Sequence, residues 1–431
     1  MKTICVIGMG YIGLPTASLF ANNGLKVHGV DTNTEVIRLL NAGRIHIEEI
    51  GLRTLVEAAV GSGNLKCSTT PANSDAFIVA VPTPIADDKS ADLSFVFSAV
   101  DSIAPYLREN NLVVIESTVP PGTTRKVSEH LAKCRQDLVS HDGSLRVHVA
   151  HCPERVLPGQ ILKELVENDR IIGGLTDEAT MKAEMLYRKI VAGRICLTEA
   201  TTAEMVKLTE NTFRDVNIAL SNELSVICER LGINVWEVIS LANNHPRVRL
   251  LSPGPGVGGH CIAVDPWFIV SEFPAESQVI KAARLRNDSM PGVVVEQIKT
   301  LTKGISPSKI ACLGASYKAN VGDPRNSPAI EVFSRLKTTL DPAIVLALND
   351  PHVTNSKLPL QSIEDVLRDA TLIVILTDHN EYKSLDPTVV ARTVKRKLVL
   401  DTRNAIGRKV WERAGFQVFT LGDGTERRVV S

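Results

Sequence analysis

Gly8-Met9-Gly10-Tyr11-Ile12-Gly13 follows directly on the apolar run Thr3–Ile7 and opens the helical pattern Ile12–Asn22. A GxGxxG alone is common; between a strand and a helix it marks a dinucleotide-binding βαβ unit. Gly8 permits the tight turn, Gly10 lets a pyrophosphate approach the backbone, and Gly13 lets helix and strand pack closely. Tyr11 and Ile12 fall at the start of the helix, whose positive end carries the phosphate charge. Asp31 closes the second strand candidate, Lys26–Val30, where a carboxylate is expected to accept from the ribose hydroxyls. Its charge repels a 2′-phosphate, so NAD is expected over NADP.

Outward from this unit, strand candidates Asp75–Val81, Leu112–Glu116, Arg146–Ala150, Arg170–Ile172 and Arg194–Leu197 alternate with helix candidates Ser94–Leu107, Thr123–Leu131 and Asp177–Val191. That alternation predicts an α/β fold with a parallel, doubly wound sheet. Such sheets bind ligands at the carboxyl ends of their strands. Thr83 in Val81-Pro82-Thr83-Pro84 is therefore expected to contact the cofactor. So is Thr118, in Glu116-Ser117-Thr118 with Pro121-Gly122-Thr123 opening the next helix.

From Thr201 the pattern becomes one long helix, free of Pro and Gly to about Leu231 and stopped by Gly232. Thr201 and Glu204 have capping-box spacing. Lys207, Asn211 and Arg214 share one stripe, and the apolar neighbours Val206, Leu208, Val216, Ile218 and Leu220 predict partial burial. A buried ammonium and amide can stabilise negative charge developing on a substrate oxygen. A helix over Val235–Asn243 follows, then a loop rich in Pro and Gly from His245 to Gly259, then a helix over Ala275–Asp288.

That loop ends in Gly256-Val257-Gly258-Gly259-His260-Cys261, with Asp265 four residues beyond the cysteine. A helix beginning near Cys261 would put both side chains on one face, and its positive end would favour the thiolate. Lowering a thiol from about 8.5 toward 7 is worth roughly 2 kcal/mol in available nucleophile. The adjacent pairs His151-Cys152 and His260-Cys261 lack the separation usual for metal ligands, so no metal is expected.

After a polar linker near residues 304–308, βαβ alternation resumes through Lys309–Leu313, Ile330–Leu340, Ile344–Leu348, Ile363–Leu367, Thr371–Leu376 and Lys397–Leu400. Two Rossmann-like α/β domains joined by a helical segment are expected, with bounds 1–198, 199–303 and 304–431, and a frayed tail over 422–431. The two α/β halves show no sequence repeat.

Lys+Arg and Asp+Glu balance at 48 each. No global field draws the chain to nucleic acid or an anionic membrane, so an anionic ligand must be held by local groups. No apolar run approaches the ~18 residues of a membrane span. The eight cysteines are scattered without CxxC spacing, which reads as reduced thiols in a cytoplasm.

Together these residues resemble the UDP-glucose/UDP-N-acetylmannosamine dehydrogenase family over nearly the whole chain. The motifs are the Gly8 fingerprint, Lys207-Leu208-Thr209-Glu210-Asn211, the Cys261 loop, Ser316-Tyr317-Lys318 and Arg325-Asn326-Ser327-Pro328. Cys152-Pro153-Glu154-Arg155-Val156-Leu157-Pro158-Gly159, Asn168-Asp169-Arg170, Phe213-Arg214-Asp215-Val216-Asn217 and His245-Pro246-Arg247-Val248 are similar to the N-acetylmannosamine branch in particular.

The resemblance implies an NAD domain, a helical dimerisation core, and a UDP-binding domain, in a homodimer or higher oligomer. It implies a four-electron oxidation of UDP-N-acetyl-D-mannosamine at C6 that uses two NAD and a thioester on Cys261. A base assisted by Lys207 or Asp265 and ordered water would start the first oxidation, and Lys207 and Asn211 would stabilise the oxyanions. Glu154, Thr118 and Asp265 would orient or activate the hydrolytic water.

By the same resemblance Arg155, Val156, Lys207, Asn211, Arg214, His245, Arg247 and Gly258 would meet the nucleotide sugar. Tyr317 and Lys318 would join them from the C-terminal domain. Arg325 would reach the cofactor, and Arg247 would act across a dimer interface. Two positions depart from the family pattern. Pro158 stands where UDP-glucose enzymes commonly carry a second Glu, and Val321-Gly322-Asp323-Pro324 replaces a more acidic stretch. UDP-N-acetylglucosamine and UDP-glucose are the alternative substrates. A two-electron β-hydroxyacid dehydrogenase would have no use for Cys261, and a non-enzymatic NAD sensor none for the Lys207, Asn211, Cys261 and Asp265 set.

Overall fold

The computed structural model describes residues 1–47, 49–157, 159–303, 308–354 and 357–425. Pro158, most of the expected linker and the end of the expected tail lie outside them. Two units emerge: Met1–Glu210 with Trp267–Phe273, and Asn211–Pro266 with the chain from Pro274 onward.

The first unit runs β1 (Thr3–Ile7), α1 (Gly13–Asn22), β2 (Lys26–Val30), α2 (Thr34–Asn41), α3 (Leu52–Gly61), β3 (Leu65–Ser68), β4 (Ala76–Val79), α4 (Ser94–Ile103), β5 (Leu112–Ile115), α5 (Thr123–Cys134), β6 (His148–His151), α6 (Ile161–Glu167), β7 (Arg170–Gly174), α7 (Asp177–Tyr187) and β8 (Ile195–Glu199). Its strands form one sheet in the order β3-β2-β1-β4-β5-β6-β7-β8. Neighbours are parallel except β6 and β7, which pair antiparallel through Ala150–Gly174 and His151–Gly173. The expected parallel sheet thus spans six strands, and the last two run in reverse. Every residue of β4 and β5 is buried, as strands covered on both faces must be. One face packs Val6, Leu14, Phe20 and Tyr187; the other packs Cys5, Phe77, Val100 and Leu131.

Sequence patterning passed over α2, α3 and β3. Leu65-Lys66-Cys67-Ser68 contains no β-branched or aromatic residue, so it carries no strand signal of its own. It is a strand because Val27–Val30 offers it a parallel edge.

The long helix α8 spans Ala200–Leu231 and is followed by α9 (Val235–Ala242), α10 (Asp265–Glu272) and α11 (Gln278–Thr302). The capping-box reading is corrected here. Helix α8 already begins at Ala200, and the Glu204 carboxylate accepts from Gly122 N and Thr124 N at the start of α5. The expected stop at Asp288 was also premature: α11 continues through Pro291 to Thr302. Val294, Val295, Ile298 and Leu301 join the core of the C-terminal sheet, and that burial outweighs the proline's missing hydrogen bond.

The second unit continues through β9 (Lys309–Leu313), α12 (Pro328–Thr339), β10 (Val345–Asn349), α13 (Ile363–Leu367), β11 (Leu372–Ile375), α14 (Asn380–Lys383), α15 (Pro387–Thr393), β12 (Leu398–Asp401), α16 (Arg408–Arg413) and β13 (Gln417–Thr420). Its sheet is wholly parallel, ordered β10-β9-β11-β12-β13. Among the described residues, no helix is long and apolar enough to cross a membrane.

The two units share one piece of wiring. Gly8 follows β1 at φ +93° and donates to Val30 O at 2.8 Å; Gly314 follows β9 at φ +107° and donates to Asn349 O at 2.8 Å. The next residue of the adjacent strand end is Asp31 in one case and Asp350 in the other. Each takes the following amide, Met9 N at 3.0 Å or Ala315 N at 2.8 Å.

Candidate active site

In the first unit a Cβ on Gly8 would stand 2.4 Å from Ala80 O, and one on Gly13 would stand 1.8 Å from Gly8 O. Both positions therefore require glycine. A Cβ on Gly10 meets nothing within 4 Å, so the backbone there is open to a ligand. Helix α1 has Ile12 at its N-cap and no side-chain cap, leaving its first turn suited to a pyrophosphate. Asp31 lies at the end of β2 with its carboxylate fixed by Met9 N and Asn33 N. These residues fit a bound NAD.

Thr83 donates to Thr118 O at 2.6 Å, so the two expected strand-end threonines meet. Their neighbourhood is otherwise committed. Glu204 takes the amides that open α5, and those amides are not left for a phosphate. Glu116 turns into the core, where Tyr187 OH donates to it at 3.2 Å and Arg170 lies 3.6 Å away. Burial pushes the Glu116 carboxyl up to about 7, because Arg170 is beyond hydrogen-bond length and only partly offsets the desolvation.

After β6, Glu154 accepts from Val156 N and lies 3.9 Å from the Lys207 ammonium, both side chains being nearly enclosed. Arg155 is held by both oxygens of Glu210 and donates to Asp169 O at 2.8 Å. Lys207 and Glu210 of α8 thus fix this loop. His151, fully buried at the end of β6, is held neutral: burial lowers its pKa to about 3, and Lys207 adds to the effect.

In the second unit α10 begins at Asp265, so Cys261 precedes the helix by one turn; the expectation that both lie on one helical face is corrected. The Cys261 carbonyl accepts from Val264 N and Asp265 N at 3.0 and 2.8 Å, which fixes the Cys261 backbone just ahead of the amide-rich end of the helix. Cys261 is partly exposed, and Asp265 is buried and accepts from Asn211 Nδ2 at 2.5 Å. Gly258 and Gly259 exist for Tyr317 and Asn326. A Cβ on Gly258 would lie 2.5 Å from Asn326 O, and one on Gly259, at φ +85°, would lie 2.8 Å from the Tyr317 ring.

The loop ahead of Cys261 is fastened to α8 by side-chain amides. Asn217 bridges Arg249 O and Leu251 N, Ser221 donates to Leu251 O, and Asn222 accepts from Gly254 N. Asn222 in turn donates to Asn287, which donates to Asp215, and Asp215 pairs with the buried Arg284. Gly256 lies against Asn287 O, the carbonyl whose helical donor Pro291 removes.

Of the other expected contacts, Arg214, His245, Arg247 and Lys318 are exposed and Tyr317 is half-buried. Arg325 is held by both oxygens of Asp323 at 2.9 and 2.6 Å. Burial alone would raise the Asp323 carboxyl, but Arg325 and His260 outweigh it and hold it low.

Residues 2–191, 201–289 and 311–408 match, in order, the NAD-binding, central and UDP-binding domains of one family. The chain belongs to the UDP-glucose/GDP-mannose dehydrogenase family. It is 49% identical to a UDP-N-acetyl-D-mannosamine dehydrogenase of Methanocaldococcus jannaschii, over 98% of this chain and 97% of that one. It is 48% identical to an NDP-N-acetyl-D-galactosaminuronic acid dehydrogenase of Ralstonia nicotianae, over 93% and 96%. The solved UDP-D-ManNAc dehydrogenase of Pyrococcus horikoshii superposes with a TM-score of 0.90 at 41% identity, covering 98% of this chain and 99% of that one. This family member is an NAD-dependent nucleotide-sugar dehydrogenase with two Rossmann-like domains. The contacts of Glu204, Glu210 and the Asp215–Arg284 pair were not foreseen, because their partners lie 55 or more residues away in the chain and local spacing does not reveal them.

Proposed function

We propose that the chain oxidises UDP-N-acetyl-D-mannosamine to the corresponding uronate, CH2OH to COOH at C6, as a cytoplasmic homodimer. The observation that carries the chemistry is Cys261, held one turn ahead of α10 by a glycine loop, with Asp265 pinned by Asn211. The N-acetylmannosamine substrate is supported by the Methanocaldococcus and Pyrococcus relatives.

NAD, when bound, supplies the hydride acceptor for each of the two oxidations. The roles of the chain's own residues divide by unit. In the first, Gly8–Gly13 and Asp31 hold the dinucleotide, with Thr83 and Thr118 at the strand ends. There Lys207, oriented by Glu154, assists removal of the C6 hydroxyl proton and neutralises the oxyanion. In the second, Cys261 adds to the aldehyde carbon, so the intermediate is retained between oxidations and ends as a thioester. Water cleaves that thioester, oriented by Glu154, Thr118 or Asp265. Arg155, Val156, Arg214, His245, Arg247, Gly258, Tyr317 and Lys318 are the proposed contacts to the UDP-sugar, and Arg325 to the cofactor. The proposed domain bounds are 1–198 for NAD, 199–303 for the central segment with Lys207 and Cys261, and 304–431 for the UDP-sugar.

The dimer is supported by Phe213, Leu220 and Ile227 of α8, spaced seven apart and 65%, 47% and 45% exposed. Such a stripe suits a helix–helix seam. The Ralstonia relative favours a second reading in which the 2-acetamido sugar has the galacto configuration.

The test is NADH formed from limiting UDP-N-acetylmannosamine, with the N-acetylglucosamine, N-acetylgalactosamine and glucose sugars run alongside. Two NADH per UDP-N-acetylmannosamine, with the others slow, is expected. Free aldehyde after a single NADH would overturn the thioester cycle, and faster turnover of another sugar would reassign the substrate.

A further inference from the structure

Away from these residues, on the outer helices of the first unit, three different metal-ligating side chains converge. Asp101 lies on α4; His130 and Cys134 lie one turn apart on α5. The imidazole Nε2 of His130 is 2.5 Å from Asp101 Oδ1 and 3.6 Å from Cys134 Sγ, and that sulfur is 3.9 Å from the same oxygen. We propose that Asp101, His130 and Cys134 form a surface site for a zinc-class divalent transition metal, distinct from the dehydrogenase residues.

The geometry discriminates between the uses such a trio could have. A Cys-His-Asp relay needs the carboxylate on one imidazole nitrogen and the thiol on the other. Here both approach Nε2, so the three donor atoms face a common point, as ligands do. Zinc bonds of about 2.0–2.3 Å place the corners of a tetrahedron roughly 3.3–3.7 Å apart. The His–Cys separation already has that value and the Cys–Asp separation nearly so. Only Asp101 must swing outward, and its side chain is 55% exposed. The ring is also braced, with Phe97 packed edge-on at a centroid distance of 5.2 Å. Cys134 is the last residue of α5, where unpaired carbonyls favour a cation. A fourth position is left to water.

A second trio, His352, His379 and Glu381, carries no such inference. There His379 Nδ1 accepts from Asn320 N at 2.9 Å and Nε2 faces Asp350 at 3.1 Å, so both nitrogens are committed to the buried corner after β10.

Cobalt(II) reports the site directly, because thiolate coordination gives a near-ultraviolet charge-transfer band. The full-length protein, stripped with EDTA, is expected to develop that band with one equivalent of cobalt, and zinc is expected to abolish it. Cys134→Ser should lose that equivalent; His130→Gln and Asp101→Asn should weaken it at least about tenfold. All three side chains are at or near the surface, and unchanged dehydrogenase turnover and melting temperature in the metal-free variants would show intact folds. The proposal fails if millimolar cobalt gives no band, or if the band survives Cys134→Ser and disappears in Cys261→Ser.

Discussion

A thiol and a hydroxyl occupy nearly the same space, so Cys261→Ser should leave the glycine loop and its Tyr317 contact in place. The variant is expected to bind UDP-sugar with unchanged affinity while acid formation falls by orders of magnitude, since a serine hydroxyl stays protonated near neutral pH and is a far weaker nucleophile than a thiol. Calorimetric titration alongside product analysis separates the two, and steady acid production would remove Cys261 from the mechanism. Glu116 makes a different prediction. In the unfolded chain it ionises near its ordinary 4.5, whereas in the fold it keeps its proton to about 7. The folded state then binds more protons between those values, so stability falls as pH rises through that window and levels above it. Glu116→Gln should flatten melting temperature against pH there; an unaltered slope would show that Glu116 is ionised throughout. At this scale the sequence was informative wherever the backbone requires one residue type, as at Gly8 and Gly13, or wherever a strand end fixes a carboxylate, as at Asp31. It gave Glu204 to a cap on its own helix and left the contact of Glu210 unread, because an acidic residue on a helix reads as local or solvated until its distant partner is known.

Helices and strands were legible in proportion to how local their causes are. The bounds of β1 and β2 and the C-terminal end of α8 agree with patterning, since apolar periodicity and the Gly232 stop are written in adjacent residues. The expected end of α11 at Asp288 fell short because Val294, Val295 and Ile298, beyond Pro291, are held in the helix by burial in a core that only the distant C-terminal strands complete. The error at α10 came from treating the start of a helix and the position of a nucleophile as one question. The connection from α8 to the Cys261 loop is a matter of elements too, and Arg284 is its centre. Arg284→Met leaves Asp215 buried without its cation, a loss of about 3–5 kcal/mol. Urea denaturation should register that loss. If stability changes by less than 1 kcal/mol, as for a surface residue, the ion pair is not what fastens the loop.

At the scale of the whole molecule, the exposed apolar spacing on α8 sets the expected assembly. Leu220→Asp places a charge in the middle of the Phe213, Leu220, Ile227 stripe and should convert the proposed dimer to monomer at micromolar concentration, as read by light scattering. A dimer of undiminished affinity would move the interface elsewhere. The first Rossmann-like sheet was foreseen from its glycine fingerprint, whereas the reversal at β7 was not, because strand direction depends on connections and not on composition.

The corner built at Gly8 and Asp31, and again at Gly314 and Asp350, has one more consequence. Its bonds run from main chain to main chain and to a single carboxylate, so every other position in it is at liberty to change. Only a glycine and an aspartate need be spelled the same way twice. Two copies of a building plan can therefore lie in one chain while its text, read letter by letter, shows no repetition.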